Sequence, residues 1–292
     1  MSVGRVALGM NGFVIVADVG GSKLLMRACD QYGVVHGEER HATGPATDGA
    51  NLDALLGRFV AAYPGAKSVA VGVPGLVDSQ GQVVVSGALP RLAGWSPAQT
   101  SIGPGVVVVN DVRASLAAVR LAEPDLRDLV VVVVGTGIAA AVLAGGEVLS
   151  GASGWAGELG RVPVDLAGHS GQLLDDIASG RGIERALGLP GREVARLVSA
   201  GDSTAVKIVS AAGSALGRAL GGLVTLLNPS RLVLGGGTTR YPGYVDAAYA
   251  AAMETALTEA WAGCRVTTDD DPGTLVIRGL AALAFDPDAR TS

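Results

Sequence analysis

The chain has 292 residues, enough for one large domain or two modest ones at roughly 100 to 200 residues each. Apolar residues make up 49% and charged residues 17%, which excludes intrinsic disorder, and 44 glycines without a Gly-X-Y period exclude a collagen-like chain. The net charge is -5, only three of the 22 basic residues are lysine and no basic run occurs, so there is no electrostatic footprint for nucleic acid.

The residues before Gly12 lack the apolar core and cleavage site of a signal peptide and read as a leader to the first strand. Residues 13–18 and 23–29 form two strand-length runs around Gly20-Gly21, a glycine-turned hairpin, and Gly33 to Glu39 predicts a third strand. Leu52, Leu55, Leu56, Phe59 and Val60 share one face of a helix predicted over 51–63. Strands at 68–73 and 106–109 read as buried central strands with polar residues at their C-terminal ends, Asn110-Asp111 in the second case. A helix over 114–121 follows. The uncharged run from Leu129 to Gly146 reaches the lower limit for a membrane span. Its valines and the break at Gly135-Thr136-Gly137 read instead as two buried strands joined by a glycine turn. A strand at 147–150 completes a second copy of the opening pattern, so two related α/β domains are expected. Helices are predicted over 172–186, 191–200 and 203–228, then a strand at 231–234, Gly235-Gly236-Gly237, a helix from Tyr244, a strand near Arg265 and a terminal helix. The domain boundaries expected are 1–112 with 275–292 for a smaller N-terminal domain and 113–274 for a larger one.

Cys29 and Cys264 are too few for a disulfide framework or a multi-cysteine metal site and suit a reducing cytosol. Asp18-Val-Gly20-Gly21-Ser22-Lys23 sets a carboxylate at a strand end and bare backbone in the turn, where N–H groups can approach a phosphate and the Asp can hold a metal-bound water. Asp-x-Gly-Gly is equally an ordinary hairpin turn. Two further glycine elements, Gly135-Thr136-Gly137 and Gly235-Gly236-Gly237, each follow an apolar strand. Gly135-x-Gly137-x-x-Ala140 also fits a dinucleotide fingerprint, but too few residues follow for the crossover helix it requires. Asn110-Asp111 reads either as a helix cap or as a polar pair facing a ligand crevice. Glu158, between small residues, is either a loop acid or a ligand contact, and Asp175-Asp176 could serve a helix dipole alone. The isolated His36, His41 and His169 give no hydrolase pattern.

In order along the chain, Asp18-Val-Gly-Gly-Ser-Lys23, Gly72-Val-Pro-Gly75, Leu92-Ala-Gly-Trp95, Asn110-Asp111, Gly135-Thr-Gly137, Gly151 to Gly160, Ala178-Ser-Gly180 and Leu234-Gly-Gly-Gly237 resemble the ROK family (repressor, open reading frame, kinase), in its glucokinase-like branch. The resemblance implies a two-domain actin/hexokinase/Hsp70-like, ribonuclease H-like fold with ATP and sugar in an interdomain cleft. It implies Asp111 as the base that takes the sugar hydroxyl proton, and Gly75, Asn110, Glu158, Arg161 and Asp175 as substrate contacts. It implies Asp18, Gly20, Gly21, Ser22, Lys23, Gly135, Thr136, Gly137, Gly235, Gly236 and Gly237 as the ATP site, with Mg²⁺ arriving near Asp18.

This chain departs from the family pattern in the sugar pocket. Arg161 replaces the usual His, Asp175 the usual Glu, and Arg91 an Asn. The Cys-x-Cys-Gly-x-x-Gly-Cys run that holds a structural zinc is absent, so no zinc is expected, and plain glucose is expected to be a poor substrate. The expectation is a cytoplasmic, ATP- and Mg²⁺-dependent kinase for a primary hydroxyl of a hexose or carbocyclic analogue such as a cyclitol, acting as a homodimer without nucleic acid or membrane. A non-catalytic sugar sensor of the same fold and, more remotely, a nicotinamide oxidoreductase are the alternatives. The family's repressors carry an N-terminal helix-turn-helix, for which the residues before the first strand leave no room.

Overall fold

The computed structural model describes residues 12–96, 105–164, 171–269, 271 and 274–286. The chain divides into two compact units, Met1–Ala122 with Val276–Thr291 and Glu123–Leu275. The first contains β1 (Phe13–Val19), β2 (Lys23–Asp30), β3 (Val35–Ala42), α1 (Gly49–Ala62), β4 (Val69–Val73), the short strands β5 (Leu76–Val77) and β6 (Val83–Val85), β7 (Val106–Asn110) and α2 (Asp111–Ala122). The second contains β8 (Leu129–Val134), β9 (Ile138–Ala144), β10 (Glu147–Val148), α3 (Leu174–Ala178), α4 (Gly180–Leu187), α5 (Gly191–Ser199), α6 (Ser203–Leu227), β11 (Arg231–Gly235), α7 (Tyr244–Thr255), α8 (Thr258–Gly263) and β12 (Arg265–Thr268). Helix α9 (Leu275–Phe285) returns to the first unit.

Both units build the same sheet. Strand order is β3-β2-β1-β4-β7 in one and β10-β9-β8-β11-β12 in the other. In each, three antiparallel strands are followed by two parallel ones. The alternation along β1 decides its packing: Phe13, Ile15, Ala17 and Val19 join Leu52, Leu56 and Phe59 of α1, while Val14 and Val16 meet Leu280, Leu283 and Ala284 of α9. A strand so buried on both faces must be nearly continuous in apolar residues, as the sequence is. In the second unit α6 packs through Gly213, Gly217 and Gly221, each against a backbone carbonyl of α7 where a side chain would overlap. Helix α6 is long and apolar enough to cross a membrane by length and composition, but half of its apolar window is buried in the unit, as befits a core helix.

The Leu129–Gly146 run is the expected hairpin, with Val134 paired to Ile138. Two expectations are corrected. The helix predicted over 172–186 is broken at Ser179, which takes an extended conformation and caps α4 by accepting the Gly182 N–H at 3.0 Å. The third strand begins at Val35 because Tyr32 and Gly33, the latter at φ +79, are spent on the turn that closes Gly33 N–H onto the Asp30 carbonyl.

Candidate active site

In the first unit the β1–β2 turn is closed by the Gly20 N–H donating to the Lys23 carbonyl at 2.8 Å. It is fastened to the edge strand by Thr43, whose hydroxyl donates to the Gly20 carbonyl at 2.6 Å and whose N–H donates to the Ser22 carbonyl at 3.1 Å. Asp18 lies just before the turn, between Leu25 of β2 and Gly72 of β4. Burial pushes its carboxyl up to about 6, against the opposing pull of Lys23. Ser22 and Lys23 are exposed at the tip.

At the C-terminal end of β7 the polar pair divides its work. Asn110 donates through Nδ2 to the Gly75 carbonyl at 2.9 Å and accepts the N–H groups of Val112 and Arg113 at 3.0 and 3.1 Å. It therefore caps α2 and ties Gly75 to it, which is the structural reading. Gly75 has φ +116 and lies against the backbone of Val85 and Ser86, so a side chain there would overlap. Asp111 opens α2, half-buried, with Oδ1 accepting the Val112 N–H at 2.9 Å.

In the second unit the β8–β9 turn, Gly135-Thr136-Gly137, is closed by Gly135 N–H on the Gly137 carbonyl at 2.9 Å. The Gly135 carbonyl accepts two outside donors, the Gly180 N–H at 2.8 Å and the Thr238 hydroxyl at 3.2 Å. The third glycine element, at the end of β11, is thereby joined to the second. Gly236 takes φ +93 against the backbone of Val134, and Thr239 donates to its carbonyl at 2.7 Å. A side chain at Gly135 or Gly237 would meet no protein atom within 4 Å.

Asp175 is aimed at this turn. Its Oδ1 accepts the Ile138 N–H at 2.7 Å. Partial burial raises its carboxyl above the usual carboxylate range, opposed by that hydrogen bond and by Arg181 and Arg161. Glu158 is raised likewise, by desolvation first and by the Asp175 carboxylate second, with Arg161 opposing. Glu158, Arg161 and Asp175 thus form one electrostatic group in the second unit, while in the first Asn110 is hydrogen-bonded to Gly75 and adjoins Asp111.

The ROK family profile matches residues 14–286, nearly the whole chain. The chain belongs to the ROK family. It is 29% identical to the bifunctional enzyme NanE/NanK of Brucella melitensis, a match covering 93% of this chain and 54% of that one, so it spans about half the length of that relative. It is 26% identical to the N-acetylmannosamine kinase of Shigella boydii, over 79% of this chain and 85% of that one. Its fold is that of a ROK family glucokinase from Streptomyces griseus solved with glucose and AMPPNP: TM-score 0.79 at 23% identity, over 94% of this chain and 99% of that one. This is the actin/hexokinase-like fold expected from the motifs.

Within this ROK protein, Arg91 stands away from the role its motif suggests. It ion-pairs with Asp48, the N-cap of α1, at 3.2 Å on the surface. Leu92 and Trp95 of its motif are core, with the Trp95 indole N–H donating to Asp53 at 2.7 Å, while Ala93 and Gly94 between them are exposed. Among the described residues no three His, Cys, Asp or Glu side chains are grouped to hold a metal. His169 lies outside the described residues. Sequence reasoning gave no role to Thr43, Thr238 or Gly180. Gly180 had a signal in Ala178-Ser-Gly180 and Thr238 one in following the glycine triplet. Thr43 had none, since it reaches a turn 23 residues upstream.

Proposed function

We propose that this ROK protein is an ATP- and Mg²⁺-dependent kinase that phosphorylates a primary hydroxyl of a hexose or a carbocyclic analogue. The observation that carries this reading is the half-buried Asp111 at the head of α2, held beside an Asn110 that is itself locked to Gly75. Phosphoryl transfer asks of a protein mainly positioning and charge neutralisation. Asp111 accepts the acceptor hydroxyl's proton as that oxygen bonds to the γ-phosphorus and the bond to the β–γ bridging oxygen breaks, releasing ADP. In the turns at Gly20-Gly21 and Gly135 to Gly137 the first N–H closes the turn and the N–H groups after it face phosphate oxygens in this reading, and the open space beside Gly135 and Gly237 suits a ligand lying on bare backbone. The Asp18 carboxylate fits a hard cation that keeps its waters and its phosphate ligands, so it would hold Mg²⁺ through water. Bound there, Mg²⁺ would neutralise charge on the phosphates.

The acceptor side carries two carboxylates and an arginine, Glu158, Asp175 and Arg161. Arg161 presents donors only, so hydroxyls that need an acceptor at that position lose a partner. Glucose is accordingly proposed as a poor acceptor, relative to N-acylated amino sugars or cyclitols. An ADP-release assay with ATP and Mg²⁺ across glucose, N-acetylmannosamine, other hexoses and cyclitols tests this. The expected result is turnover with at least one acceptor and a lower efficiency for glucose. Nucleotide binding without transfer to any acceptor would replace the kinase by a sugar sensor.

A further inference from the structure

The β8–β9 turn is held more firmly than a hairpin requires. Its own ladder ends at the Val134–Ile138 pair, and the Gly135 N–H closes it on Gly137. Yet the segment from Asp175 to Gly180 grips it again at both ends. Asp175 Oδ1 takes the Ile138 N–H at 2.7 Å, and the Gly180 N–H donates to the Gly135 carbonyl at 2.8 Å. Thr238 adds its hydroxyl to the same carbonyl from the end of β11. The gripping segment is itself anchored. Tyr244, fully buried, donates to the Ala178 carbonyl at 2.6 Å, and Ser179 donates to the Asp175 carbonyl at 2.6 Å.

The Asp175 side chain is committed to this turn. A Cβ built on Gly137 would stand 3.6 and 3.7 Å from its two carboxylate oxygens, so both lie beside the turn. Gly160 closes the other side, where any side chain would overlap the Asp175 carboxyl. We propose that Asp175 to Gly180, with Thr238, is a clamp that holds the Gly135–Ile138 turn in its nucleotide-binding form, and that Asp175 acts as a positioning residue for the phosphoryl donor. Held N–H groups need no reorganisation when a phosphate arrives, which is where such a clamp earns affinity. The proposal deepens the kinase reading and rests on it. It gives Asp175 a donor-side task through Oδ1, in addition to its place on the acceptor side beside Glu158 and Arg161, and it makes Thr238 a second member of the same device.

Calorimetric titration of ATP with Mg²⁺ into the full-length protein, without acceptor, tests it with four variants. Asp175→Ala removes the grip on Ile138 and is expected to weaken ATP tenfold or more. Asp175→Asn keeps an oxygen for that N–H and is expected to bind ATP within about threefold of wild type. Thr238→Val, nearly isosteric, is expected to weaken ATP several-fold, and Thr238→Ser to restore it. A purely structural role would not separate Asn from Ala, or Ser from Val, in nucleotide affinity at equal melting temperature. If Asp175→Ala does not fold, the Thr238 pair decides. Wild-type ATP affinity in both Asp175→Ala and Thr238→Val, or in Thr238→Val alone where Asp175→Ala does not fold, would overturn the clamp and leave the kinase reading standing. A wild-type protein that binds no ATP would overturn both.

Discussion

The two units place a glycine turn at the same position in the same sheet, each with a threonine hydroxyl donating to its first glycine's carbonyl, but they draw its charge from different sources. The β1–β2 turn carries its own charge, Asp18 on one side and Lys23 on the other, and is pinned by Thr43, the residue just after edge strand β3. The β8–β9 turn has no ionisable residue between Val134 and Ile138 and is held by a carboxylate and an N–H delivered from the α3–α4 segment. The fourth strands match too, since β4 and β11 each lead into a glycine of positive φ, Gly75 at +116 and Gly236 at +93. Duplication therefore conserves backbone form, while the charge that makes the form useful enters once through the strand itself and once through a distant helix.

The largest effect should fall on the element with no counterpart in this comparison, the Asn110-Asp111 pair. Asp111→Asn is expected to lower kcat by about 10² to 10⁴-fold, the usual range for general-base help, with acceptor affinity near normal. A variant retaining more than about a tenth of the wild-type rate, in the ADP-release assay, would remove Asp111 from that role.

Valine at Gly21 and at Gly137 probes the two turns in parallel. Gly21 faces Ala88 at 3.1 Å from a built Cβ, and Gly137 faces the Asp175 carboxyl at 3.6 Å. Both substitutions are expected to weaken ATP by about tenfold or more and the acceptor far less, because a β-branched side chain keeps the backbone from a phosphate. Gly21→Val should be the worse of the two, since its Cβ already crowds Ala88 while Gly137 leaves ordinary contact distance to Asp175. Equal losses of both ligands with a large fall in melting temperature would mean that the turns serve folding only.

Asp18→Asn sharpens the electrostatic half of the comparison. The Asp18 carboxyl is raised from 3.8 to about 6 in the folded protein. The folded state therefore binds this proton more tightly than the unfolded chain, and ionisation costs stability. The penalty is absent below about pH 4, grows between 4 and 6 and is complete above. The Asn variant is expected to be more stable than wild type at pH above 6, by on the order of 3 kcal/mol, with the gain vanishing near pH 4, while Mg²⁺-ATP binding weakens. A stability difference independent of pH in denaturant titrations would contradict the assignment.

Much of this was legible from the chain alone. Continuous valine and alternating apolar runs mark the central strands because those strands are buried on both faces, and glycine turns repeat at matching places because both sheets share one order. The motif series identified the family for the same reason, since most of its motifs sit at strand ends, turns or, at Ala178-Ser-Gly180, a helix junction, where backbone geometry restricts the residue. The break at Ser179 was not legible: a polar cap inside an apolar periodic stretch reads as helix until the Gly182 N–H it captures is known.

Side-chain direction was the part that position along the chain could not supply. Arg91 stands just before its motif yet turns to Asp48, 43 residues earlier, and Asp175 reaches Ile138, 37 residues earlier. Thr43 has no motif that would single it out and Thr238 only its place after the glycine triplet, and each gains its role by donating to a carbonyl far away in sequence. The sequence by itself determined where the strands, turns and polar ends lie, since hydrophobic period and glycine placement act locally. Only the tertiary structure decided which carboxylate serves which turn, because that depends on which distant backbone N–H is left without a partner in its own strand or helix.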